Sequence, residues 1–239
     1  MIDPFGEVRG FFRAALLDPV DRDHGESPEA LVQRRWISST TLAVGAFMLA
    51  WTLRLSPGDP AFYAATLVLA TTWIVGGFLS GKVHLGRART RSGDQTGRGI
   101  LPAVIIGTLL LGLFLAGAAL VAPVPLLRDP LVALLNHARY GLLPVVAALT
   151  ALNAFGEELF FRGALYAAVG GRQALLVTTL VYALTTIPSG LPLMVLAAAL
   201  LGLVTGLQRR VTGGVLAPIL THLIWSLGML FLLPLVLGM

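Results

Sequence analysis

Long apolar runs alternate with short polar gaps along almost the whole chain. Crossing about 30 Å of hydrocarbon takes about 20 residues in a helix, and runs of that order lie at 36–55, 61–81, 100–121, 141–169 and 214–237. Residues 173–207 hold no charged side chain, yet Pro188-Ser189-Gly190-Leu191-Pro192 must break a helix there. That stretch predicts two short or partly re-entrant helices. The sum is an all-α, polytopic membrane helix bundle of about seven spans, two of them short. Before the first run, Ser27 followed by Pro28 has the chemistry of an N-cap and first helical position. Phe5, Val8, Phe12 and Leu16 recur at helical spacing, with Arg9 and Arg13 off that stripe. This predicts a short helix lying on an anionic membrane surface.

Composition agrees with the pattern: 56% of the 239 residues are hydrophobic, 12% are charged, and the mean hydropathy is +0.83. These values define an integral membrane protein. The net charge of +5 comes from basic residues in the polar gaps rather than from a stripe or groove, which excludes nucleic acid as a partner. Arg9, Arg13, Arg22, Arg34 and Arg35, the basic loop 82–99, Arg172, Arg209 and Arg210 fall on one side of the seven spans; Arg54, Arg128 and Arg139 fall on the other. The asymmetry predicts a cytosolic N-terminus and an external C-terminus in the plasma membrane. Asp3, Glu7 and Asp18 rule out a cleavable signal peptide. Three regions are expected: a cytosolic segment 1–35, N-terminal membrane helices with their basic loop over 36–139, and a core over 140–239. Gly45, Gly76, Gly77, Gly112 and Gly117 permit close helix packing. With no cysteine, disulfides, a thiol nucleophile and Cys-based metal sites are excluded.

The segment Phe155-Gly156-Glu157-Glu158-Leu159-Phe160-Phe161-Arg162-Gly163 puts three charges into an apolar run. On insertion scales each costs about 2.5–3.5 kcal/mol at mid-membrane, roughly 8–10 kcal/mol uncompensated. Glu158 and Arg162 are i and i+4, one turn apart on one face in the favourable order. Glu157 lies about 100° around the helix and is left free, a candidate general base. The plain alternative is a buried anchoring pair with Glu157 turned to water.

These residues resemble the first motif, EExxxR, of the CPBP intramembrane proteases, the CAAX-protease and bacteriocin-processing (Abi) family, over about residues 141–235. The family's second motif places phenylalanine four residues before histidine, and its last places histidine four residues before asparagine. The counterparts here are Tyr182 with Thr186, and His222 with Ser226. The resemblance implies an endopeptidase in which Glu157 activates a water, Glu158 and Arg162 form a supporting pair, and His222 donates to the oxyanion. Ser226 keeps a hydroxyl donor in place of the amide. Thr186 is the larger departure, because a hydroxyl can position water but cannot take up its proton as imidazole does. Thr178, Thr179, Thr185 and Thr186 with Tyr182 are expected along one face of a wet cavity. No cofactor is expected. A metal would have only Glu157, Glu158 and His222, since His24, His84 and His137 lie in polar segments. The implied partners are the bilayer and a lipidated or transmembrane peptide or protein substrate. Two other readings compete: a catalytically impaired pseudoprotease that binds a membrane partner, and a proton-coupled transporter, for which the chain has few spans and no repeat.

Overall fold

The computed structural model describes residues 4–22, 24–89 and 96–239. Helix α1 (Pro4–Leu16) carries the expected stripe, with Phe5, Val8 and Phe12 exposed while Ala15 packs inward. Helix α2 (Pro28–Thr52) begins where Ser27 Oγ accepts a hydrogen bond from the Ala30 amide at 3.2 Å. Then follow α3 (Ala61–Leu79), a two-residue ribbon of β1 (Ala88–Arg89) and β2 (Thr96–Gly97), α4 (Ile100–Val121), α5 (Pro125–Arg139) and α6 (Leu143–Glu157). A wide-turn segment, Glu158–Leu165, joins α6 to α7 (Tyr166–Val169), and α8 (Ala174–Thr185), α9 (Pro192–Thr212) and α10 (Leu216–Val236) complete the bundle.

Five helical stretches are long and apolar enough to cross a membrane: 61–79, 100–121, 143–169, 192–212 and 216–236. Helix α2 matches them in length but opens on Glu29, Arg34 and Arg35, and α8 is a short apolar helix. These seven, among the described residues, make a multi-pass membrane bundle. One expectation fails. Of the two helices expected between 173 and 207 only α8 is short; α9 runs 21 residues, through Arg209 and Arg210, to Thr212. It continues because Arg209 turns inward, only 6% exposed, instead of marking a loop. Gly213, at φ +71°, then ends it in the left-handed region that glycine adopts without a Cβ penalty. Helix α5 was also not expected. Its Leu127, Leu131, Leu134 and Leu135 recur at helical spacing behind Pro125 at the first turn.

The packing puts α10 against α4 and α6, α9 against α8, and α3 between α2 and α6. Trp73 of α3 stacks on Phe160 at 4.8 Å between ring centres, and Phe161 meets Tyr182 of α8 edge-on at 4.8 Å. Gly45, Gly76 and Gly77 lie against Trp73, Thr41 and Leu159, so these close approaches serve contacts inside the chain. The segment after α1 is tied beneath α9: the Val20 amide donates to Val211 O at 2.9 Å and Arg22 Nη1 to Arg210 O at 2.6 Å. Arg34, 1% exposed, is held by Glu26 and by Ser80 Oγ at 3.1 Å.

Candidate active site

The charged motif begins at the last residue of α6. From Glu158 to Leu165 the backbone takes π-type turns, a form that occurs mostly as short bulges, frequently at functional sites. Glu158 and Arg162 are both 0% exposed, and Arg162 Nη1 donates to Glu158 Oε1 at 3.1 Å. His222 comes from α10, 64 positions along the chain, and its Nδ1 lies 2.8 Å from the same oxygen. A carboxylate oxygen only accepts, so Nδ1 carries the hydrogen of that bond. In the neutral ring Nε2 then keeps a free lone pair. It faces Glu157 Oε2 at 4.0 Å, too long for a hydrogen bond and a gap that one water can bridge. Tyr182 donates its hydroxyl to that same Glu157 oxygen at 2.6 Å.

Glu157 retains 16% exposure in its side chain while Glu158 has none, and the difference is the cavity. A pocket of about 650 Å³, mostly apolar, is lined by Glu157, Tyr182, Thr186, His222 and Ser226 together. The sequence places these residues on three segments; folding brings all five to one pocket. Of the four threonines expected there only Thr186 lines the pocket, and its hydroxyl is used on Ala183 O at 2.7 Å. Thr178 and Thr185 likewise donate to backbone carbonyls of α8, at 2.8 Å to Ala174 and 2.7 Å to Tyr182. Sequence reasoning missed Asn153, one turn before Glu157 on the pocket wall. Its amide donates to Leu149 O at 3.0 Å and Thr66 O at 3.3 Å. A lone amide in an apolar span was the available signal.

Behind the pocket the pair is braced from three sides. Arg162 lies 4.8 Å over the Tyr182 ring, and its carbonyl accepts from Arg209 Nε at 2.6 Å. Gly202 of α9 leaves the room: a Cβ there would stand 3.2 Å from Arg162 Nη2 and 3.3 Å from the Tyr182 ring. Ion pairing, the Glu158–His222 bond and the cation–π contact offset part of the cost of burying Glu158 and Arg162, whose Oε2, and Nε and Nη2, have no hydrogen-bond partner.

The same geometry argues against a metal on Glu157, Glu158 and His222. Glu158 Oε1 is taken by Arg162 and by His222 Nδ1, and a cation would sit beside a guanidinium. Glu157 and His222 Nε2 face each other, while the unpartnered Glu158 Oε2 is fully buried beside the guanidinium; zinc takes three or four ligands. Among the described residues no group of three His, Cys, Asp or Glu side chains could hold a metal ion. His24 stacks on His84 at 3.7 Å; His137 of α5 lines the same pocket, contrary to its expected place in a polar segment, with its ring bound to Leu55 O at 3.0 Å.

An apolar helical bundle with a carboxylate–imidazole cluster at an apolar pocket defines a polytopic membrane protein. Residues 139–228 match the family model for Rce1-like proteins, type II CAAX prenyl endopeptidases. The match spans the whole cluster from Glu157 to Ser226 and less than half of the chain, so this segment is similar to that family. No curated protein and no solved structure matches the chain.

Proposed function

We propose that the protein is an intramembrane endopeptidase of the CAAX-protease type. It hydrolyses a peptide bond of a membrane-associated protein or peptide, lipidated or transmembrane, with a water activated by Glu157. The observation that carries this reading is the 4.0 Å gap between Glu157 Oε2 and His222 Nε2 at the wall of an apolar pocket. A water in that gap gives its proton to Glu157 while its oxygen attacks the carbonyl carbon. The C–O bond forms, the carbonyl electron pair moves onto oxygen, and on collapse the C–N bond breaks as Glu157 returns the proton to the leaving amine. Glu158, neutralised by Arg162, fixes the His222 tautomer so that Nε2 faces the water. Ser226 supplies a hydroxyl to the same pocket. The pocket's apolar lining suits a hydrophobic substrate reaching the site within the bilayer, and the arginine asymmetry supports a plasma-membrane protein with a cytosolic N-terminus.

One observation favours a second reading, a pseudoprotease that binds a membrane partner without cutting it. Thr186 stands where the family has histidine, and its hydroxyl is bound to its own helix. Purified protein incubated with lipid-anchored and transmembrane peptides, beside Glu157→Gln, separates the two. The protease reading expects cleavage by the parent, slowed at least 10²-fold in the variant; a partner bound but never cut would support the other.

A further inference from the structure

We infer that Tyr182 is a catalytic residue of this site, its phenol donating to the oxyanion of the tetrahedral intermediate. This rests on the protease reading above. The positions matching the family's phenylalanine and histidine hold Tyr182 and Thr186, so this chain carries a hydroxyl at both. The structure shows which one is used. Thr186 Oγ1 donates to Ala183 O at 2.7 Å within α8, whereas the Tyr182 hydroxyl crosses to Glu157 Oε2 at 2.6 Å. In the neutral ring His222 has its Nδ1 hydrogen committed to Glu158 and a lone pair at Nε2, so the imidazole that orders the water has no hydrogen left for the oxyanion.

Tyr182 fills that vacancy at the moment it arises. In the resting site its hydrogen bond goes to the Glu157 carboxylate. Once Glu157 has taken the proton of water it is neutral and a weaker acceptor. The negative charge now sits on the former carbonyl oxygen, and the phenol turns its donated hydrogen there. On collapse the oxyanion re-forms the carbonyl, Glu157 gives its proton to the amine, and Tyr182 returns to the carboxylate; the phenol keeps its proton throughout. Arg162, 4.8 Å over the ring, and the edge of Phe161 hold the ring in place.

Tyr182→Phe removes only the hydroxyl. Losing one oxyanion donor costs about 10²–10³ in kcat, so kcat is expected to fall at least 10²-fold with KM within about twofold. Tyr182→Phe with Thr186→His, which rebuilds the family's pair, is expected to recover part of the loss. Independently of turnover, a lipidated peptide carrying a phosphinate at the scissile position is expected to bind Tyr182→Phe at least tenfold more weakly, while uncleaved substrate binds Glu157→Gln and Glu157→Gln/Tyr182→Phe equally well. Unchanged kcat, or lost kcat with unchanged phosphinate affinity, overturns the donor role. A parent that neither cleaves peptide nor binds the phosphinate overturns the protease reading and this inference with it. Cleavage slowed at least 10²-fold by Glu157→Gln but left at the parental rate by Tyr182→Phe overturns this inference alone.

Discussion

Replacing Arg162 by methionine tests the bracing of the site most sharply. Arg162 and Glu158 are both fully buried, joined at 3.1 Å, and Glu158 shares the accepting oxygen with His222 at 2.8 Å. Taking away the guanidinium leaves a carboxylate in a dry interior with an imidazole as its remaining side-chain partner. Breaking a buried pair in this way costs about 3–5 kcal/mol, because the survivor is an uncompensated charge. Glu158→Gln/Arg162→Met removes both charges, and glutamine Oε1 can still accept from His222 Nδ1. The double variant is therefore expected to regain at least half of the loss, a coupling of about 2 kcal/mol. Reversible unfolding in mixed micelles of dodecyl maltoside and sodium dodecyl sulfate, followed by tryptophan fluorescence, measures all three variants against the parent. If Arg162→Met costs less than about 1 kcal/mol, or if the two changes simply add, the ion pair does not hold this site together.

At the N-terminal side, burial first, and then the charges of Arg209 and Arg34, push the His84 imidazole below its ordinary value, so the folded protein favours the neutral ring stacked on His24. The unfolded chain binds that proton more readily. The contribution is thus fully present above about pH 6.5, the unfolded value, and is lost as pH falls through the lower folded value. Thermal unfolding followed between pH 7.5 and 5.5 should show stability falling toward acid, with a shallower fall in His84→Gln. Glu26 is held below the ordinary carboxylate range by its hydrogen bond to Arg34, and its contribution disappears only at lower pH, below about 4.5. Gly202→Val would press a branched side chain against Arg162 and Tyr182 and should cost about 1–3 kcal/mol by overpacking. It should also lower kcat more than Gly202→Ala does, as read in the same unfolding and cleavage assays.

The bundle was legible because its signals are local. Ser27 and Pro28 mark a helix start by their own backbone chemistry, and runs of about 20 apolar residues fix the spans without knowledge of neighbours. Arg209 misled for the same reason. Counted as a loop charge, it instead spends its guanidinium on Arg162 O and the Tyr166 ring, contacts set by helices far apart in sequence. The Glu158–Arg162 pair could be read from i, i+4 spacing and survives the wider turns of the backbone. His222 was found as a site residue by resemblance, but its bond to Glu158 across 64 positions was not readable, and neither was the Tyr182 bond to Glu157. Such contacts are created by the crossing of α6, α8 and α10, which no single-helix periodicity encodes.

Proton transfer by the accessible carboxylate at 157 is tested by single-turnover cleavage of a lipid-anchored peptide by purified parent and Glu157→Gln in the same detergent. General base catalysis contributes about 10²–10⁴ in rate, so Glu157→Gln is expected to bind the peptide normally and to cleave it at least 10²-fold more slowly. Cleavage by Glu157→Gln at the parental rate would contradict it.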